Sequence, residues 1–281
     1  NFVFQASMAR LLTLAEFGVL SVLYNLIYIF SGITDAIQVT FVKFSANEKN
    51  PGKIKNAVTR ALNKGAFFSV ILFFVYLVIA IIISKLTDID YILVAFNGLL
   101  IFPIFMIPIS RGILQGKNRL SYLGFNIICD SALKLLISVF LVVSGWGVFG
   151  AIGGTLIGVS IALALSFFGI RDVMKKKSER VDTREIYKYS IPSFIVVITV
   201  LLFYSFDVIL AKIFFDPEMA GIYATISLLA KSIFFGTYPI SKAMFPLSAD
   251  RKLSKEKADN IFLNAFVIVS LMAFVALIIF Y

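Results

Sequence analysis

Between bursts of polar residues, apolar runs longer than about 18 residues recur along the whole chain, the length that crosses a bilayer as a helix. They lack the strand-length alternation of apolar and polar positions that a β-barrel requires. The pattern predicts nine helices. Residues 1–12 end the first, and Glu16–Val42, Lys64–Ser84, Tyr91–Leu114 and Leu120–Val143 are the next four. Val148–Ile170, Ile191–Phe214, Ala220–Leu247 and Ala258 to the end complete the set. The fold class is therefore all-α and polytopic.

Composition agrees, with 60% hydrophobic and 15% charged residues against about 45–50% and 25% in soluble domains. Histidine is absent and Cys129 is the one cysteine. No disulfide framework, metal site or cofactor is expected. The net charge of +10 is concentrated in alternate connections. One basic group is Lys43 to Lys64, another Arg111, Lys117 and Arg119, a third Arg171 to Lys188, and the last Lys242 to Lys257. The intervening turns are short or acidic: Glu16, Asp88-Ile89-Asp90, Gly145-Trp146-Gly147 and Asp216-Pro217-Glu218. The positive-inside rule then predicts a multi-pass protein of the cell membrane with cytoplasmic basic loops. Attraction to anionic membrane lipids follows, whereas charge divided among short loops without an aromatic motif argues against nucleic acid. The chain starts and stops inside apolar runs, so it is expected to be a piece of a longer protein.

The chain also matches itself. At an offset of about 202 residues Phe4-Gln5 falls on Phe206-Asp207, and Ala9-Arg10 on Ala211-Lys212. An extra residue in the turn then brings Gly18 onto Gly221 and Leu26 onto Leu229. One period holds six helices, an even number, so the copies are parallel and related by an axis along the membrane normal. Residues 1–188 would be the first six-helix lobe with its cytoplasmic linker, and 189–281 the first three helices of a second.

ARLLTLAEFGVLS (9–21), RGILQGKNR (111–119), GWGVFGAIGGTLIG (145–158), YSIPSF (189–194) and AGIYATISLLAKSIFF (220–235) occur in that order. Together they resemble the polysaccharide exporters of the MOP superfamily, the MATE-like flippases. The resemblance implies a two-lobe, six-plus-six-helix bundle that moves polyprenyl-linked oligosaccharides from the cytoplasmic to the outer leaflet. It marks Arg111, Gln115, Gly116 and Arg119 as a cytoplasmic motif.

Charges inside apolar helices are costly and tend to line cavities. Asp207 and Lys231 on the seventh and eighth helices are such candidates, with Gln5 as the repeat mate of Asp207. Asp130 and Lys134 are four residues apart, in the favourable order for a helical ion pair. They are either a self-neutralised structural pair or a switchable anion site. Asp35, near Gln38 and Thr40, is a gating or coupling-ion candidate, or a polar residue packed at the cytoplasmic mouth. Arg10 and Arg111 suit phosphate contact or simple snorkelling. Pro103, Pro108 and Pro239 remove backbone hydrogen bonds and favour kinks that can serve as gates.

The reading these features favour is a lipid-linked oligosaccharide flippase working by alternating access, with no enzymatic role. It would be coupled to H+ or Na+, since no GxxxxGK[ST] phosphate loop is present. The alternatives are a cation-coupled multidrug exporter of the same superfamily and a non-transporting scaffold. A membrane glycosyltransferase would need larger outer loops than these turns.

Overall fold

A computed structural model describes residues 2–181, 202, 204–248 and 255–280, and no strand occurs among them. The helices are α1 (Phe2–Leu11), α2 (Leu14–Tyr28), α3 (Ser31–Asn47), α4 (Pro51–Thr87), α5 (Tyr91–Gly98) and α6 (Ile101–Gly116). They continue with α7 (Leu120–Leu141), α8 (Gly147–Gly169), the short α9 (Arg171–Met174), α10 (204–214), α11 (Pro217–Ser248) and α12 (Lys255–Phe280). Val3–Ile222 form one compact unit and Tyr223–Tyr281 a second. The expected lobe boundary at 188 and 189, and the YSIPSF motif, lie outside the described residues.

Three described stretches are long and apolar enough to cross a membrane: Pro51–Thr87, Tyr91–Gly116 and Leu120–Gly169. The third has 50 residues but is two crossings. A π-helical turn at Val142–Trp146 contains Gly145 at φ +92°, and Gly147 follows at +49°. Both are left-handed values that glycine adopts without a Cβ clash. The chain reverses there, and α8 runs back along α7. Gly150, Gly154, Gly158, Ala162 and Ser166 repeat every four residues as a buried stripe on α8. A Cβ on Gly154 would stand 2.5 Å from Ser138 Cα, and one on Gly158 2.7 Å from the Lys134 amide nitrogen. Small residues thus let two membrane helices meet backbone to backbone. Ser138 Oγ donates to Ala151 O (2.9 Å) and Asn126 Nδ2 to Ala162 O (2.7 Å), pinning the register.

Two expectations are corrected. The basic segment 43–64 is not a loop, since only Glu48–Asn50 separates α3 from α4. Asn50 caps α4 by accepting from Gly52 N (2.8 Å), and Pro51 takes the first helical position, where no amide donor is needed. Ile54, Ala57, Val58 and Ala61 follow the helical period and bury against Phe41, Ile113 and Val173. Lys53, Lys55, Arg60 and Lys64 are therefore carried on a helix of 37 residues, about 55 Å long and well beyond the roughly 30 Å hydrocarbon core. The helix expected over Glu16–Val42 is interrupted at Ile29–Phe30, both still right-handed helical, and continues to Asn47.

Tyr91–Leu114 is likewise divided at Leu99–Leu100. Pro103 cannot donate the bond that Leu99 O would accept, so the ladder opens one turn before it. Pro108 lies inside α6. Pro239 lies on α11, but its ring is outside the described residues.

Candidate functional site

Three of the connections remote from the basic clusters carry helix caps. Thr13 and Glu16 form a capping box, Asp90 Oδ1 accepts from Ile92 N (2.9 Å), and Asp216 Oδ1 accepts from Met219 N (2.9 Å). The acidic residues in these turns stabilise helix N-termini.

The α1–α2 and α10–α11 turns coincide bond for bond. Leu12 N→Met8 O (2.9 Å) and Phe17 N→Thr13 O (2.8 Å) match Phe215 N→Ala211 O (2.9 Å) and Ala220 N→Asp216 O (2.9 Å). Thr13 Oγ1 and Asp216 Oδ1 cap the same position, each accepting from the third helical amide. The offset is 203 on both sides of the turn, so the extra residue expected there is absent. Carried back along α10, this register makes Phe4 the mate of Asp207, and Val208 that of Gln5. Gly18 and Gly221, which the repeat equates, pack together. A Cβ on Gly18 would lie 3.1 Å from Gly221 Cα, and one on Gly221 2.5 Å from the Leu14 carbonyl carbon.

Deeper in the same unit, Lys134 of α7 places Nζ 4.4 Å from the Phe4 ring centroid of α1 and 4.7 Å from that of Tyr24 of α2. The two rings are 5.4 Å apart, and the Tyr24 hydroxyl is hydrogen-bonded to Thr155 of α8. Such ammonium–ring contacts contribute about 0.5–2 kcal/mol each, more as water is excluded. Four helices therefore converge on one half-buried cation. Asp130 gives its carboxylate to Arg111 instead of forming a closed pair with Lys134. Arg111 Nη2 is 2.8 Å from Asp130 Oδ2, and its Nε donates to Asn126 Oδ1 (2.8 Å). Arg111 is thus five residues inside α6 and bound sideways to α7, rather than snorkelling at a helix end.

The rest of the 111–119 motif stitches helices together at the basic end. Gly112 and Gly116 admit α3, where a Cβ on Gly116 would stand 2.5 Å from Val42 O. Gln115 accepts from Gln38 Nε2 (3.0 Å), and Lys117 Nζ donates to Glu48 O (2.9 Å) at the end of α3. Asn118 turns the chain at φ +58°. Arg119 forks onto Asp172 at 2.7 and 2.6 Å and also donates to Gly169 O (2.7 Å). That fork holds the Asp172 carboxyl below, and the Arg119 guanidinium above, their ordinary pKa values.

The other candidates are dispersed. Gln5 is half-buried on α1, and Arg10 is exposed at its end. Asp207 is half-buried on α10, one turn from Tyr204, whose ring lies 5.0 Å from that of Tyr28. Lys231 is half-buried in the second unit. Asp35 is on α3 with its side chain outside the described residues. Several uncharged residues escaped the charge-based reading. Fully buried Asn97 of α5 donates to Leu23 O (2.9 Å) and Tyr76 OH (3.1 Å), joining α2, α4 and α5. Ser110 and Ser166 join α6 to α8 at 2.6 Å. An amide or hydroxyl within an otherwise apolar run was the available signal.

A bundle of long apolar helices of this kind is a polytopic membrane protein of MATE-like fold. The chain belongs to the polysaccharide biosynthesis protein family, whose model matches residues 1–252. It is 28% identical over 195 residues to an uncharacterized membrane protein of Methanocaldococcus jannaschii, covering 61% of this chain and 46% of that protein. The chain thus spans about half the length of that relative. It is similar in structure to an inward-facing multidrug resistance MATE family transporter of the MOP superfamily. That match has a TM-score of 0.71 and 14% identity, over 96% of this chain and 67% of the other.

Proposed function

We propose that the protein is a membrane transporter that flips a lipid-linked oligosaccharide or polysaccharide precursor from the cytoplasmic to the outer leaflet by alternating access. The observation that carries this reading is Lys134, a cation on a spanning helix held between Phe4 and Tyr24. A polyprenyl pyrophosphate headgroup crossing the bilayer needs cations where lipid cannot solvate it. Membership of the polysaccharide biosynthesis family supports the substrate class. The matched turns and the Gly18–Gly221 contact support two lobes related by a pseudo-two-fold axis, divided near residue 188.

On this reading the basic end, with α4 and the 111–119 latch, is cytoplasmic. The capped turns face outward, and Gly18 and Gly221 close the outer mouth. Lys231 and Asp207 contribute from the second lobe, and an H+ or Na+ gradient drives the cycle. The short capped turns support a transporter rather than an enzyme. Replacing Lys134 and Lys231 together by alanine in the intact protein is expected to abolish glycan export while leaving the protein folded. Full export by that variant would refute the cavity assignment. The multidrug transporter with the similar fold raises drug export as a second reading. Resistance to toxic cations conferred by this protein, with no change in glycan export, would favour it.

A further inference from the structure

At the basic end of the α7–α8 hairpin lies a groove of about 430 Å³, outside the cluster around Lys134. It is lined by Gly169 and by the polar residues Arg119, Ser121, Arg171 and Asp172 together with the apolar Leu120 and Phe168. Arg119 is neutralised by its two bonds to Asp172. Arg171 lies 4.5 Å from the Phe168 ring centroid and brings the groove's net charge to +1. The apolar rim is open, with Leu120 56% and Phe168 59% exposed. It continues into the lipid-facing stripe of Phe125, Ile128 and Leu136 on α7, each more than half exposed. The groove therefore sits where the apolar band of the protein ends and its charges begin.

We infer that this groove binds the headgroup of an anionic phospholipid. The phosphodiester sits against Arg171 and Ser121, and the acyl chains descend over Phe168 and Leu120. Guanidinium groups favour phosphate through charge-assisted hydrogen bonds, and basic pockets beside spanning helices suit anionic headgroups. A soluble phosphate would leave the exposed apolar rim unused, and this favours a lipid. Both ends of the hairpin are fixed by the latch, so an occupant here would brace α7, the helix that carries Lys134.

Native mass spectrometry of the intact protein, from mixed phosphatidylglycerol and phosphatidylcholine micelles, tests the assignment. Wild type is expected to retain phosphatidylglycerol at least tenfold over phosphatidylcholine. Arg171→Ala and Phe168→Ala should each lose that preference, and Arg171→Lys should retain part of it. Neutralising Lys175, Lys176 and Lys177 together should leave it in place. Unchanged retention in Arg171→Ala overturns the site, as does a loss confined to the triple lysine variant, which would mean diffuse attraction. Displacement of the lipid by millimolar inorganic phosphate would overturn the lipid in favour of a free anion.

Discussion

Gly221 offers the sharpest perturbation of the proposed cycle. A methyl group there would stand 2.5 Å from the Leu14 carbonyl carbon, about 0.9 Å inside ordinary 3.4 Å contact, against backbone that cannot swing away. Overpacking of this kind costs about 1–3 kcal/mol. If the Gly18–Gly221 contact closes the outer mouth, the cost falls on the outward-closed state alone. The equilibrium then moves toward the outward-open state by about 5- to 150-fold. Gly221→Ala should therefore lengthen the distance between spin labels at Ser144 and Glu218, two exposed positions in turns remote from the basic clusters, read by double electron–electron resonance in a Cys129→Ser background. Gly18→Ala, whose Cβ would stand 3.1 Å from Gly221, should give a smaller shift. Gly65→Ala has open space around it and should give none. An unchanged distance distribution in a folded Gly221→Ala protein would mean that the contact is not a gate.

Three further outcomes follow from the packing and polar contacts. Gly154→Ala puts a methyl group 2.5 Å from Ser138 Cα and should cost about 1–3 kcal/mol, measured as a lower unfolding midpoint in detergent. Asn97→Leu leaves Leu23 O and Tyr76 OH without their donor and should cost about 1–3 kcal/mol by the same measurement, without abolishing substrate binding. The Asp172 carboxyl, held below its usual range by Arg119, stabilises the fold above its unfolded pKa and loses that contribution as pH falls through the folded value. The midpoint advantage of wild type over Asp172→Asn should therefore be constant from pH 8 to 5 and shrink below about pH 4. A difference that grew on acidification would contradict the pairing.

Apolar run length carried most of the fold, because a bilayer leaves few ways to satisfy a backbone. The turns at Gly145, Asp90 and Asp216 were legible as breaks between apolar runs, whereas the capping bonds of Asp90 and Asp216 came with the structure. Charge counting misled at 43–64, where lysines suggested a loop although Ile54, Ala57, Val58 and Ala61 already marked a helical face. It misled again at Asp130. The lysine four residues along was the nearest partner in sequence, but Arg111 is the nearer in space, and only the α6–α7 packing reveals it. Downstream of the turn, the offset of 203 that pairs Gly18 with Gly221 is the offset of the matching hydrogen bonds. Upstream of the turn, a one-residue slip paired Gln5 with Asp207, because apolar helices align almost equally well in adjacent registers and only the turn's hydrogen bonds fix the true one. Phe4, Tyr24 and Thr155 carried no charge to mark them, and the cage around Lys134 requires helices distant in sequence to meet.

The proposed transport moves a lipid-linked glycan past Lys134. The intact protein in sealed vesicles, loaded in one leaflet with a fluorescent polyprenyl-pyrophosphate oligosaccharide, tests it by the rate at which the glycan becomes accessible to a membrane-impermeant lectin. Rapid, gradient-dependent translocation is expected for the wild type and only background rates for Lys134→Ala combined with Lys231→Ala. Equal rates in both proteins, or none above protein-free vesicles for the wild type, would contradict it.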